Sequence, residues 1–351
     1  MRSLAVVGGG VIGLAIAARA ADQGWVVTVH DPAPARGASW VAGGMLAPLS
    51  ESWPGEDAVL GFGAAALERW PGFARWLGRD DLFTATTTLT VALDTADIAD
   101  LRTVADWVGE RGHELRLLNR AEIRAVAPGL ARAVRAGLLS LAEPAVDNRA
   151  LVGALLAAAV KSGVRYAEVV HDLADVTADQ VVLAAGAASA ELWPGLPVRP
   201  VKGEILRLRT RPGVARPPAQ VLRARVHGRP VYLVPRADGL VVGATQYESG
   251  NDTAVTVGGV RDLIADAETL LPTLGEYELA EVSAGLRPMT PDNLPLLGRV
   301  SDRVVVATGH GRNGVLTTPL TADAVLAALA GETLEVARCA DPHRFEPGGR
   351  L

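Results

Sequence analysis

The chain has 351 residues, 49% of them hydrophobic and 21% charged, which is the balance of a globular protein and excludes a disordered or low-complexity one. Its 34 basic residues against 39 acidic ones leave a formal net charge of −5, which argues against a nucleic-acid-binding protein. One cysteine, Cys339, excludes an intrachain disulfide, a zinc cluster and a CxxC redox pair, and no apolar run reaches the roughly 18 residues of a membrane span. Four glycines within residues 4–16 favour a folded strand and turn over a signal peptide. The expectation is a soluble, cytoplasmic chain of about two domains that binds neither membrane, nucleic acid nor metal.

In chain order, residues 4–7 form a short apolar run ending in glycines, as expected of a parallel strand buried on both faces. An Ala-rich helix over 12–22 stops near Gly24, and a second strand over 25–30 ends at Asp31, completing a βαβ unit. A helix follows over 59–77, interrupted around Pro71, then a Thr- and Val-rich strand over 83–93. Helices are expected over 95–111 and 120–126 and a strand over 137–142; a helix over 148–162 follows, with Asp147 as N-cap and Gly163 as C-cap. Residues 180–186 read as another apolar strand.

From Pro200 the texture changes to β-formers joined by short loops, with strands over 203–209, 231–235 and 240–244, which points to an antiparallel sheet. A helix over 260–271 and a strand over 277–286 come next. A parallel-type strand over 303–308 leads through a glycine-rich turn to a helix over 318–330, and the chain from Asp341 is expected to be irregular.

Gly8-x-Gly10-x-x-Gly13 opens a helix directly after a strand, and Asp31 follows 18 residues later. Gly8 permits the tight turn, Gly10 lets backbone approach a pyrophosphate, and Gly13 lets the helix pack on the strand. The helix amides then meet phosphate charge, while Asp31 accepts from ribose hydroxyls and repels a 2′-phosphate. This unit alone does not separate NAD from FAD. The stretch from Arg36 to Pro48 adds small residues beside Trp40, Val41, Met45 and Leu46, a combination suited to close approach to something flat or charged.

These residues resemble a known family. The Gly8–Gly13 fingerprint, Ala38-Ser-Trp-Val-Ala-Gly-Gly-Met-Leu46, Pro200-Val-Lys-Gly-Glu204, Val231-Tyr-Leu-Val-Pro-Arg236, Val241-Val-Gly-Ala-Thr245, Ala284-Gly-Leu-Arg-Pro288 and Gly309-His-Gly-Arg-Asn-Gly314 follow the order and spacing of the glycine oxidases of thiamine biosynthesis. That family lies within the D-amino acid oxidase and sarcosine oxidase superfamily of FAD enzymes. The resemblance covers nearly the whole chain. It implies an α/β fold in which a Rossmann-like FAD-binding domain (1–82, 147–198 and 286–340) is interleaved with an antiparallel-sheet α+β substrate domain (83–146 and 199–285), ahead of an irregular tail (341–351).

The resemblance also implies site residues. Arg287 and Tyr232 would hold a substrate carboxylate, consistent with the preference of planar carboxylates for the guanidinium fork, and Arg312 would line the site near the amine. Gly8, Gly10, Val11, Ile12, Gly13, Asp31, Pro32, Ala38, Ser39, Gly43, Gly44, Met45 and Val169 would contact FAD, with His310, Gly311, Asn313, Gly314, Val315 and Leu316 lying along the flavin. Noncovalent FAD is expected, because Cys339 near the chain end is the only cysteine. Lys202, one of two lysines, and Gln246 are candidate pocket residues. His310 could be read as a general base, but hydride transfer from a neutral amine needs no proton-abstracting side chain.

Three departures from the family pattern bear on specificity. Asp31 replaces the more usual glutamate, Gly311 stands where an aromatic is common, and Gln246 where an apolar residue is often found; the last two would enlarge or polarise the pocket. The implied activity is oxidation of glycine, or of sarcosine or a small D-amino acid, to the imine and glyoxylate by hydride transfer to flavin N5. Dioxygen would become hydrogen peroxide, and the imine would feed thiazole formation. The alternatives are a flavin dehydrogenase using another acceptor and, from a different class, an FAD-bound partner-binding module without catalysis. The sequence leaves open whether the protein is a monomer or a homo-oligomer.

Overall fold

The computed structural model describes residues 2–346. Its nucleotide-type half begins with β1 (Ser3–Val7), α1 (Val11–Asp22) and β2 (Val26–His30). Here β1 is the inner strand of a six-stranded sheet, flanked in parallel by β2 and by Gln180–Leu183. Val304–Thr308 extends the parallel run beyond Gln180–Leu183, and Arg165–Ala167 extends it beyond β2. Leu4, Val6, Val182 and Val305 are buried, as strands covered on both faces require.

The second sheet has eight strands, in the order Glu278–Met289, Arg199–Arg209, Gly239–Gly243, Arg229–Arg236, Val221–Val226, Thr88–Ala92, Ala136–Ser140 and Arg116–Leu118. Side chains alternate across it. One face packs Leu206, Leu222, Leu233 and Val242 against Leu263, Ala267 and Leu270 of the helix Val257–Leu270. The other packs Ile205, Val234 and Val241 with Val41, Met45 and Tyr232, so it looks toward the nucleotide-type half. The candidate substrate-side residues gather on this second face.

Several elements differ from the sequence expectation. The helix Asp57–Leu77 runs unbroken through Pro71, because burial of Leu60, Phe62, Ala66, Trp70 and Phe73 along it outweighs the local proline cost. The strand expected over 83–93 is two strands, Phe83–Ala85 and Thr88–Ala92, in different sheets. The last long helix starts at Gly314, earlier than Thr318, and accommodates Pro319. Ahead of the tail, Glu335–Ala340 is a 3-10 helix, and within the tail Pro342–Phe345 forms a short 3-10 turn; residues 347–351 lie outside the described range. Val221–Val226 and Leu296–Arg299 are strands that the sequence reading misses. Asp147 does cap the helix Asn148–Lys161, its carboxylate accepting from the amides of Arg149 and Ala150.

Candidate active site

The first half of the site is built from backbone. Gly8 adopts φ +108°, and a β-carbon there would lie 2.3 Å from the Ala184 carbonyl oxygen. At Gly13 a β-carbon would stand 1.9 Å from the oxygen of Gly8, so α1 can reach this close to β1 only with glycine. The N-cap residue of α1, Gly10, has no side chain to cap it, and Val11 N donates instead to Ser39 Oγ (2.9 Å), bringing the second motif against the first. Asp31, at the carboxyl end of β2, accepts from Gly9 N (2.6 Å) and Ala33 N (2.7 Å). Pro32 follows it in the same turn, and Val169 lies past the end of the neighbouring strand Arg165–Ala167, 48% exposed.

A second helix start, Gly314–Leu316, follows Val304–Thr308 in the same parallel sheet, so both helix N-termini open at its carboxyl edge. His310 is buried in the intervening turn, its Nε2 3.1 Å from Thr321 Oγ1. Burial pushes its pKa down to about 3, so the imidazole is neutral at pH 7. Gly311 donates its N–H to the Pro288 carbonyl (2.8 Å) and sits at φ +55°, with Met289 Sδ 3.1 Å from the place of a β-carbon. The turn is thereby tied to the strand that carries Arg287.

The second half is built from side chains seated on glycines. Tyr232 lies between Gly43 and Gly243, where β-carbons would come within 2.7 Å and 2.4 Å of its ring. The Arg287 guanidinium covers Gly203, 2.3 Å from the place of a β-carbon, and donates to the Thr245 carbonyl (3.1 Å). The Tyr232 hydroxyl lies near enough to that guanidinium for each to act on the other's charge. Burial raises the tyrosine's pKa and lowers the arginine's, and the attraction between the two works against both shifts. At pH 7 the pair is a neutral hydroxyl beside a cation.

Lys202 does not join them. Successive strand residues face opposite ways, and with Gly203 under Arg287, Lys202 points to the other side of the sheet. There, 2% exposed, it pairs with Asp252 (2.6 Å) and donates to the Ala254 carbonyl (2.9 Å), with Glu204 at 3.9 Å. Its expected place in the pocket is thus corrected to an ion cluster behind the sheet. Gln246 is exposed, next to Thr245, at the margin of the site.

The structure adds residues that the sequence reading misses. Arg223 stands directly across from Tyr232 in the strand register. It pairs with Glu51 (3.1 Å), and Glu51 is 3.5 Å from Arg312. Burial alone would push the Glu51 carboxyl up, but Arg223, Arg312 and Arg287 together hold it below the ordinary glutamate range. Arg312 is 51% exposed at the mouth of a narrow cleft that Glu51, Glu56, Met289, Asn293 and Gly311 also line. Asn148 ties the two halves together: its Nδ2 donates to the carbonyls of Ser39 (2.8 Å) and Trp40 (2.9 Å), and its Oδ1 accepts from Arg207 and Arg236. The alternation in Val-Leu-Arg-Ala-Arg-Val over Val221–Val226 carries a strand signal that could have placed Arg223; nothing local in the sequence marks Glu51 or Asn148.

The residues present fit FAD. Two helix N-termini without a capping side chain at the N-cap residue, a carboxylate at the β2 end and glycines that admit close backbone approach give the donors and space a dinucleotide needs. Among the described residues no group of three or more His, Cys, Asp or Glu could hold a metal ion, and no single helix is long and apolar enough to cross a membrane.

Comparison with known proteins agrees with this fold and with FAD as the cofactor. Residues 3–328 match the family model described as FAD dependent oxidoreductase. The chain is 34% identical over 344 residues to the bifunctional protein ThiO/ThiG of Synechocystis sp., an alignment covering 90% of this chain and 50% of that protein; it spans about half the length of such bifunctional relatives. It is 33% identical to a putative thiamine biosynthesis oxidoreductase ThiO of Rhizobium etli (93% and 95% covered) and 30% identical to a glycine oxidase of Pseudomonas aeruginosa (99% and 98% covered). The fold superimposes on the crystal structure of glycine oxidase from Geobacillus kaustophilus with a TM-score of 0.91, at 28% identity, covering 99% of this chain and all of that one. The chain belongs to the FAD-dependent oxidoreductase family.

Proposed function

We propose that the protein is an amino-acid oxidase acting on glycine or a similarly small amine, such as sarcosine or a small D-amino acid. The observation that carries this reading is the Arg287–Tyr232 pair, seated over Gly203 and Gly243 on the sheet face that meets the FAD-type cradle. When bound, FAD supplies the acceptor for a hydride from the substrate Cα. Gly8, Gly10, Val11, Ile12, Gly13, Asp31 and Pro32 would hold its nucleotide end with Val169. Ala38, Ser39, Gly43, Gly44 and Met45, together with the turn from His310 to Leu316, would hold the remainder.

The protein's own part in the reaction is to bind and orient. Arg287 offers a charged fork to the substrate carboxylate and Tyr232 adds a hydroxyl donor, which fixes the end of the molecule from which Cα projects. Arg287, Arg223 and Arg312 set positive charge on the substrate side of the site, which favours a neutral amine over an ammonium. Loss of a hydride from Cα of the neutral amine leaves an iminium, which gives up a proton to become the imine; water converts the glycine-derived imine to glyoxylate and ammonia. Dioxygen takes the electron pair and two protons, giving hydrogen peroxide. The relatives' names support a place for the imine in thiamine biosynthesis.

Anaerobic addition of glycine to the purified yellow protein tests this reading. Bleaching of the flavin bands, with peroxide formed once air is admitted, is the expected result. A spectrum unmoved by glycine, sarcosine or D-alanine would remove the assignment; bleaching without peroxide would assign a dehydrogenase instead.

A further inference from the structure

Glu51 is held with more care than a surface acid needs. Glu143, fully buried, accepts from the amides of Leu49 and Ser50 through a single oxygen, which fixes the main chain just before Glu51. On the opposite side Arg223 donates to the Ser50 carbonyl (2.9 Å) and pairs with the Glu51 carboxylate (3.1 Å). The carboxylate is only 10% exposed and also faces Arg312 at 3.5 Å. The substrate side of the site therefore carries three guanidiniums, of Arg287, Arg223 and Arg312. One of them, Arg287, is free for a ligand carboxylate, and the other two share an acid built into the protein.

We propose that Glu51 is a specificity-determining residue that confines the site to amines with a single carboxylate, by occupying the two arginines that would otherwise bind a second one. Without it, Arg223 and Arg312 would form a second anion receptor beside Arg287, suited to a dicarboxylic amine such as iminodiacetate or D-aspartate. With it, a second acid group meets a fixed like charge, and Glu56 along the same cleft adds to the repulsion. The inference rests on the carboxylate-binding reading of Arg287.

The test is calorimetric titration of the FAD-loaded protein with glycolate and with diglycolate, an ether-linked dicarboxylate that has no amine to oxidise. The wild type should bind glycolate at least ten-fold more tightly than diglycolate. Glu51→Gln should tighten diglycolate at least ten-fold while moving glycolate less than three-fold, and kcat/KM for iminodiacetate relative to glycine should rise in step. Glu51→Asp, which keeps the charge, should keep the wild-type order. Should Glu51→Gln fail to fold, Arg312→Gln decides: with Arg312 already occupied by Glu51, the glycolate-to-diglycolate ratio stays within three-fold, whereas a ten-fold selective loss of diglycolate means Arg312 was free and overturns the inference. Wild type that binds both ligands equally, or a folded Glu51→Gln protein with an unchanged ratio, overturns it too and leaves the carboxylate reading standing. Wild type that binds neither and is not bleached by glycine removes that reading, and this inference with it.

Discussion

The two halves of the site solve different problems with different parts of the chain. The cradle at the carboxyl edge of the six-stranded sheet is nearly all backbone: glycines without room for a β-carbon, two helix N-termini and one carboxylate. The wall on the eight-stranded sheet is nearly all side chain, with Tyr232, Arg287, Arg223 and Glu51 arriving from four separate segments. A backbone site needs glycine at fixed spacing, so it leaves a local motif; a side-chain site needs only that distant residues share one face. The cradle should therefore fail through steric clash, and the wall through lost charge.

The sharpest way to break the cradle is Gly13→Ala. The added carbon would lie 1.9 Å from a backbone oxygen that cannot move without shifting β1. We expect a loss of about 4 kcal/mol or more in stability together with loss of FAD, read by chemical denaturation and by flavin content. Arg287→Ala should do the opposite. It should keep FAD and cost about 3 kcal/mol or more in kcat/KM, because a charged bidentate partner of the substrate is gone.

His310 separates structural from catalytic histidine in the turn that joins the halves. Its folded pKa, about 3, lies below the ordinary imidazole value near 6.5. A depressed folded value means that the stability is fully present above pH 6.5 and is lost as pH falls toward 3, where the unfolded chain takes up a proton that the folded one refuses. Between pH 8 and pH 5 this amounts to roughly 2 kcal/mol. In His310→Asn that part of the acid destabilisation should vanish in urea titrations at the two pH values, while the pH profile of turnover keeps its shape.

Two smaller effects sharpen the comparison further. Tyr232→Phe removes one neutral hydroxyl donor and should cost about 1 kcal/mol in kcat/KM with no change in FAD content. Gly311→Ala puts a β-carbon at φ +55° against the flexible end of Met289, a backbone cost of about 1 kcal/mol in thermal stability. If that variant instead leaves stability untouched and alters only the preference between glycine and sarcosine, the position belongs to the pocket rather than to the backbone.

What was legible in the sequence follows the same division. The first βαβ unit and the glycine-rich turns could be read directly, since their chemistry is local and glycine marks it. Arg287 and Tyr232 became site candidates through family resemblance, because an arginine in an apolar strand is by itself as good an ion-pair residue as a ligand. Lys202 was misplaced: its motif is real, but strand alternation turns its ammonium to Asp252, and that depends on where the register puts Gly203. Arg223, Glu51 and Asn148 stayed hidden because their partners are 172, 172 and 109 residues away for the contacts Arg223–Glu51 and Asn148–Ser39. Pairing across the sheets, rather than any local pattern, creates them.

The central claim is that a cradle holding the flavin and an independent wall holding the carboxylate meet at Arg287. It is tested most directly by rapid anaerobic mixing of glycine with FAD-loaded wild type and with Arg287→Ala, following flavin reduction at matched flavin content. The account predicts full flavin occupancy in the variant and a second-order reduction rate lower by at least 100-fold, which corresponds to about 3 kcal/mol. Reduction at a near-wild-type rate by a fully loaded variant would contradict it.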